Sequence, residues 1–540
     1  MNQIPSKNQS SPKAAVKWDL LILSVLLATG FSRLFRTELT ALLERMFGLI
    51  GKSFTSRSAS TQTLAVFIVG GILCCLLYLI LCRIRERENP RAVIIICLAV
   101  MVVLTAILCF EQIIRRDDYW EIFDAQKYGF PGFLFYEYTE INGRYFSLFL
   151  KSFFNFFDPQ TYIRVSLLVN FILLGWGCTL LADRMLDLGG RSASRLTKIV
   201  LGTVTAAGVV LMSANVWEVW LWGAGMFIYG IAITMAIFVL VLYIDAIRGK
   251  PKYLLTLLVV CCACGGTELV TASVCAFGLG ILILNRLFGE RRWNKALLLF
   301  MLWSWACTAA ILLFSGSAAT AVSIQSRDPD SAAAGQNLVT QLIGLLPTMV
   351  RTLWGYTLSK KNYLLLFGLM ALVLGSRFKG LEVSGKAWAG ISLLLILTAG
   401  AVLMINLPLG YVPARVVSIP LDWVFLAVVG SCFILGSRLK IQSGALVPTL
   451  CAVILCLHVG GFFRENIVML DNNRLGWEYR DAQLKAETSE GTITACTLHV
   501  PGSVRLDMDE DPTYEFNVVT AYYYELTAVS ASGFCPPITE

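Results

Sequence analysis

The sequence predicts an all-α polytopic membrane protein with about thirteen transmembrane helices, amphipathic outer-loop helices and a small α+β tail. Three observations carry that prediction. The 540 residues are 56% hydrophobic and only 15% charged, whereas a soluble domain has about 45–50% apolar and about 25% charged residues. The excess is concentrated in repeated runs of about 20 apolar residues, the length that crosses ~30 Å of hydrocarbon as a helix. Basic residues gather in short loops between the runs, as retention on the cytoplasmic side requires. The net charge of +8 therefore does not point to nucleic acid. No soluble segment carries a basic stripe interleaved with aromatics.

Residues 1–17 are Ser/Lys/Pro-rich without a cleavage pattern and read as a disordered cytoplasmic tail. Spans fall near 18–36, 62–82, 92–113, 161–182, 197–213, 225–244, 253–266, 269–287, 296–314, 363–376, 387–407, 416–436 and 445–463. Six loops carry the basic residues: Arg83, Arg85, Arg87 and Arg91; Arg184, Arg191, Arg195 and Lys198; Arg248, Lys250 and Lys252; Arg291, Arg292 and Lys295; Arg377, Lys379 and Lys386; Arg438 and Lys440. Alternation of the spans puts all six on the cytoplasmic face. Loop 33–61 breaks the pattern, since it belongs outside yet holds five basic residues. Segment 337–358 is apolar enough to span, but an interfacial helix on the outer surface keeps Arg377 and Lys379 with the other cytoplasmic residues.

The opposite face then receives outer loop 114–160, whose seven acidic residues face five basic ones, and the C-terminal tail 464–540. The tail predicts a helix over 475–488, a strand over 492–499 and a Tyr-rich segment at Tyr522–Tyr524, packed on the outer loops because so short a segment holds little core of its own. Cys496 and Cys535 can pair there. The other fourteen cysteines lie in or beside apolar runs, where Cys behaves as a small hydrophobe, Cys261, Cys262 and Cys264 included. The two histidines do not suggest a zinc site: His458 reads as a hydrogen-bonder inside the last span and His499 lies in the tail.

Asp117 and Asp118 stand at the mouth of a span, where a carboxylate tends to face water, a partner or a substrate. In a helix starting near Arg116, Asp117, Glu121 and Asp124 share one face. That face suits a divalent cation such as Mg²⁺ or Mn²⁺, or a general base over a substrate hydroxyl; the plainer reading is a solvated acidic first turn. Asn142, Gly143, Arg144 and Tyr145 follow in the same loop. Arg144 either offers a planar fork to phosphate or pairs with Glu140 one turn earlier. Glu268, after Gly265, Gly266 and Thr267, interrupts a long apolar stretch at the outer mouth of a helix reversal. Glu218 is flanked by Trp217, Trp220 and Trp222, which read as an interfacial aromatic belt. Arg415 is the only basic residue of its short, Pro-stiffened outer loop, placed to grip a lipid phosphate.

A span followed by an outer acidic pair and a long amphipathic loop resembles the GT-C superfamily of membrane glycosyltransferases. Asp-Asp-Tyr-Trp at Asp117, Asn-Gly-Arg-Tyr at Asn142, Trp-Gly-Ala-Gly-Met-Phe-Ile-Tyr at Trp222, Gly-Thr-Glu ending at Glu268 and Pro-Ala-Arg ending at Arg415 also occur in an order similar to a bacterial family of function-unknown polytopic proteins beside those enzymes. The resemblance covers roughly 92–540. It implies a GT-C-like core over 92–463, with two extra N-terminal spans in 18–91 and the extracytoplasmic tail 464–540. It further implies, in the cell membrane, inverting transfer of a sugar from a polyprenyl-phosphate donor to an extracytoplasmic envelope acceptor. Asp117 or Asp118 would then serve as base, with Mg²⁺ or Mn²⁺ as an optional partner. Arg144, Glu268, Arg415, Glu218, Asn142 and Tyr145 would bind substrate. Two rivals use the same residues: a transporter or flippase of a lipid-linked or acidic solute, and a non-catalytic envelope-assembly protein.

Overall fold

The computed structural model describes residues 18–48, 53–54, 59–84, 91–289, 293–313, 338–378, 381, 385–404, 413–439, 447–486, 491–498 and 508–535. The predicted tail 1–17, His499, segment 407–412, and Arg85, Arg87, Arg291, Arg292, Lys379 and Lys440 lie outside the described residues.

The chain is built from helices α1 (Trp18–Leu34), α2 (Arg36–Gly48), α3 (Ala59–Ile84), α4 (Arg91–Phe110), α5 (Asp117–Tyr136), α6 (Tyr145–Lys151), α7 (Pro159–Leu188), α8 (Arg195–Met212), α9 (Gly223–Ile247), α10 (Tyr253–Cys264), α11 (Glu268–Phe288), α12 (Lys295–Leu313), α13 (Leu338–Ser359), α14 (Lys361–Gly375), α15 (Gly385–Met404), α16 (Ala414–Arg438) and α17 (Val447–Ala486). Strand β1 (Thr492–Thr497), helix α18 (Glu515–Tyr523) and strand β2 (Ala528–Phe534) complete it.

Among the described residues nine helices are long and apolar enough to cross a membrane: α4, α7, α8, α9, α11, α12, α15, α16 and α17. A tenth span results if α13 and α14, which meet at a 71° bend, are taken together. The remaining three predicted spans coincide with α1, α3 and α10, whose described apolar helices run Ile22–Leu34, Gln62–Leu76 and Tyr253–Cys264. At 1.5 Å per residue α10 rises only about 18 Å, and it stops where the Gly265 carbonyl accepts from the Phe146 and Ser147 amides at 2.9 and 3.2 Å. Helix α6 therefore sits on the end of α10.

Small residues set the helix packing. A Cβ on Gly375 would stand 2.0 Å from the Phe433 carbonyl oxygen, and one on Gly436 2.0 Å from that of Leu372. The α14 and α16 backbones touch there as small-residue interfaces allow in apolar surroundings. At one end of the bundle Arg184 bonds Asp245 at 2.6 Å, Arg248 bonds Asp187 at 3.1 Å and Lys252 lies 3.4 Å from Asp245. Lys198 pairs with Asp183 in the same network, and Asn294 donates to the Ala246 carbonyl. Two of the predicted basic loops thus meet at one end, paired with acids near the ends of α7 and α9, and the loop before α12 reaches the same end through Asn294. Helix α1 packs against α3 and α17. Its Arg33 pairs with Glu465, and Arg464 with Glu38, so part of the positive charge in the anomalous loop is met locally. His458 is buried beside the Thr29 hydroxyl at 3.3 Å.

The opposite end carries a module built from α5, α6, the extension of α17 and the two strands. Helix α17 runs 40 residues, about 60 Å, so the predicted tail helix is a continuation of the last span. It stands beside α5: Trp477 Nε1 donates to the Tyr119 hydroxyl at 2.9 Å, as does the fully buried Arg480 at 3.4 Å. The Tyr-rich segment closes over the same spot, with Tyr523 edge-on to Tyr119 at 4.9 Å and Tyr522 stacked on Phe123 at 5.7 Å. Strands β1 and β2 pair in parallel around α18, and a Cys496–Cys535 disulfide joins their ends. Closing a loop of this length is worth about 3–4 kcal/mol. Cys496→Ser is accordingly expected to release the tail to limited proteolysis after Ala486 while α4–α16 stay intact; unchanged protease resistance would contradict that role.

Candidate functional site

Two adjacent aspartates reach opposite environments because the backbone turns sharply just before them. Arg116 has φ 52°, a left-handed conformation that non-glycine residues adopt sparingly. The turn is held by α7, whose Gln160 accepts from the Ile114 amide at 2.9 Å and whose Arg164 donates to the Gln112 carbonyl at 3.0 Å. Helix α5 starts immediately after it.

Asp118 points inward and is fully buried. Its Oδ1 accepts from the Ala224 amide at 2.7 Å, and its Oδ2 accepts from Trp222 Nε1 at 3.1 Å and the Arg115 amide at 3.2 Å. Between these donors lies Gly223, where a Cβ would stand 2.8 Å from Oδ1. Burial pushes this carboxyl up to about 8, with Glu121 adding to the rise while Arg115 and the Ala224 amide oppose it. Asp118 ties the start of α5 to the start of α9, and no face of it is open to a substrate hydroxyl. Asp118→Ala leaves the Ala224 and Arg115 amides unmet, at roughly 1–3 kcal/mol each, while Trp222 Nε1 keeps the Arg115 carbonyl at 3.4 Å; relief of desolvation offsets part of the cost. A net loss of about 2 kcal/mol is expected as a lower melting temperature; an unchanged one would contradict the tie.

Asp117 points the other way and is exposed. It interacts electrostatically with Glu121 and with Arg415. Arg144 pairs with Glu268, Nε to Oε2 at 3.2 Å, and not with Glu140. The π-helical turn Glu137–Ile141 swings the chain back, and Asn142 fixes its exit: the Asn142 Oδ1 accepts from the Arg144 amide at 3.2 Å while Nδ2 donates to Glu137 at 3.3 Å. Tyr145 donates to the Cys261 carbonyl at 3.0 Å, anchoring α6 to α10. Glu268 opens α11, and Arg415 lies 3.6 Å from Glu218. The Tyr229 hydroxyl interacts with both Arg144 and Arg415.

Asp117, Arg144, Glu218, Glu268 and Arg415 thus converge from α5, the α6 approach, the turn before α9, α11 and α16 into one rim of alternating charge, whereas Asp118, Asn142 and Tyr145 tie the elements behind it. Sequence reasoning missed Tyr229, concealed in an apolar run, and Lys151, counted only as loop charge. Lys151 is buried and pairs with Glu121. The tryptophans are a correction. Trp220 and Trp222 are buried, bonding Ser213 at 2.7 Å and Asp118 at 3.1 Å, and Trp217 stacks on Phe462 at 5.9 Å. Trp220 and Trp222 are thus interior residues, Trp222 beneath Asp118, and only the half-buried Trp217 keeps the exposure a membrane belt requires.

Of the acidic face, Asp117 alone is exposed; Asp124 is buried and Glu121 is occupied by Lys151. Burial raises Glu121 and Asp124, and lifts Glu137 to about 7, with Glu121 and Asp124 adding and Lys151 opposing. A carboxyl raised in the folded state contributes stability that is full below its ordinary 4.5 and lost as pH rises through about 7. The module around α5 and α6 should therefore loosen between about pH 5 and pH 8, read by hydrogen exchange in those two helices. Glu137→Gln is expected to flatten that dependence; an unchanged slope would assign it elsewhere.

A divalent cation on the aspartate pair does not fit these residues. Both Asp118 oxygens are taken by N–H donors, and among the described residues no three His, Cys, Asp or Glu side chains converge as ligands. Beside the rim lies an apolar cavity of about 400 Å³ lined by Leu134, Phe135, Tyr138, Tyr145 and Phe149. Comparison of the chain with protein-family models, curated proteins and solved structures finds no match.

Proposed function

We propose that this chain is an inverting membrane glycosyltransferase that moves a sugar from a polyprenyl-phosphate donor to an extracytoplasmic envelope acceptor. The observation that carries the reading is the exposed Asp117 carboxylate on a rim that also holds Arg144 and Arg415, beside an aromatic cavity. Asp117 accepts the proton of the acceptor hydroxyl as its oxygen attacks the anomeric carbon. The bond to the lipid phosphate breaks, and the departing negative charge is met by Arg144 and Arg415. Glu268 and Glu218 hold the two guanidinium groups in place before substrate arrives. The disulfide and the acidic outer loop favour placing this end outside the cytoplasm.

A transporter reading is favoured by one observation. Asp422, fully buried in α16, has neither carboxylate oxygen hydrogen-bonded among the described residues, and a carboxyl within a membrane bundle is a common element of ion or proton pathways. Proteoliposomes containing purified protein and donor labelled in both sugar and lipid separate the two. Transfer is expected to part the labels; movement of the intact doubly labelled lipid across the bilayer, without parting, would overturn it.

A further inference from the structure

Helices α10 and α12 run in the same direction, and Trp303 Nε1 donates to the Leu257 carbonyl at 2.9 Å. One helical turn further along each helix, Cys261 of α10 comes level with Cys307 of α12. The two thiols interact, and Cys264, three residues after Cys261, reaches Cys307 as well. Cys261 Sγ also lies 3.7 Å from the Tyr145 hydroxyl. None of the three is in a disulfide. Cys307 and Cys264 are buried, while Cys261 is only half-buried, so an oxidant has one sulfur to reach first. Tyr145 stands over this group, lines the apolar cavity and directly follows Arg144.

We propose that Cys261 and Cys307 form a redox pair, an interhelical disulfide site that fixes α10 to α12 beneath Tyr145. The thiolate of Cys261 attacks one sulfur of a disulfide oxidant, forming a mixed disulfide and releasing one thiol. Cys307 then attacks Cys261, and the second oxidant sulfur leaves as a thiol. The two cysteines lose two electrons and two protons, and the oxidant disulfide becomes a dithiol. The bond joins α10, on whose end α6 rests, to α12, and so fixes the platform under Arg144. The assignment rests on helix register and on the electrostatic coupling of the two thiols, independently of the activity proposed above.

The test uses wild-type protein treated with the azo oxidant diamide, whose N=N bond takes up the two electrons and protons. Quenching with a maleimide under denaturing conditions is followed by peptide mapping. The expected result is a linked pair of peptides joining Cys261 to Cys307, both losing their label, with reversal by dithiothreitol. Full labelling of both cysteines after oxidation would overturn the proposal, as would a link confined to Cys264 and Cys307. Cys261→Ser should abolish the linked product, and its persistence as the same peptide pair would equally overturn the assignment to Cys261.

Discussion

Asp117→Asn is expected to lower sugar transfer by about 10²–10⁴-fold, the usual contribution of a positioned general base, with the melting temperature unchanged. The side chain is exposed at the first turn of α5, so its replacement by an isosteric amide disturbs no packing. Its neighbour behaves oppositely, because Asp118 is buried under three N–H donors and acts on the fold. The decisive comparison is activity per folded molecule, by transfer assay and thermal unfolding on the same preparations. Equal activity of Asp117→Asn and wild type would remove Asp117 from the chemistry.

Gly225→Ala is expected to be the most damaging of the small substitutions. A Cβ there would stand 1.7 Å from the Glu218 carbonyl oxygen and 2.9 Å from its carbon. Neither is the end of a flexible side chain, so backbone must move. Overpacking typically costs about 1–3 kcal/mol, and a backbone clash this close belongs at or above the upper end. The segment displaced is the turn Val216–Val219, capped by Asn215 through the Trp217 and Glu218 amides. That turn presents Glu218 to Arg415, so stability and activity should fall together. Gly175→Ala supplies the control: nothing lies within 4 Å of its Cβ, and in a helix interior alanine is favoured over glycine by about 1 kcal/mol. A neutral Gly225→Ala would show that the turn yields freely.

The membrane helices were readable in the sequence because a bilayer imposes a length and a hydropathy on each one. Two basic loops that meet at the opposite end were grouped in the sequence by the sidedness expected of Lys and Arg. The site was readable only as a set of residues. Arg144 and Glu268 are 124 positions apart, and nothing local distinguishes that pairing from one with Glu140. Asp117 and Asp118 carry identical chemistry; the left-handed Arg116 and the wrap of Trp222, Gly223 and Ala224 decide which is buried, and both are tertiary. Tyr229 was hidden because a lone phenol among Met, Phe and Ile reads as core.

The most direct test of the central claim is release of polyprenyl phosphate. Purified wild-type protein, given a polyprenyl-phosphate sugar and an acceptor-containing membrane extract, is predicted to produce free polyprenyl phosphate in step with glycosylated acceptor. Asp117→Asn, folded to the same extent, is predicted to produce neither. Release at the wild-type rate by Asp117→Asn, or none from any polyprenyl-phosphate sugar with the wild type, would contradict the account.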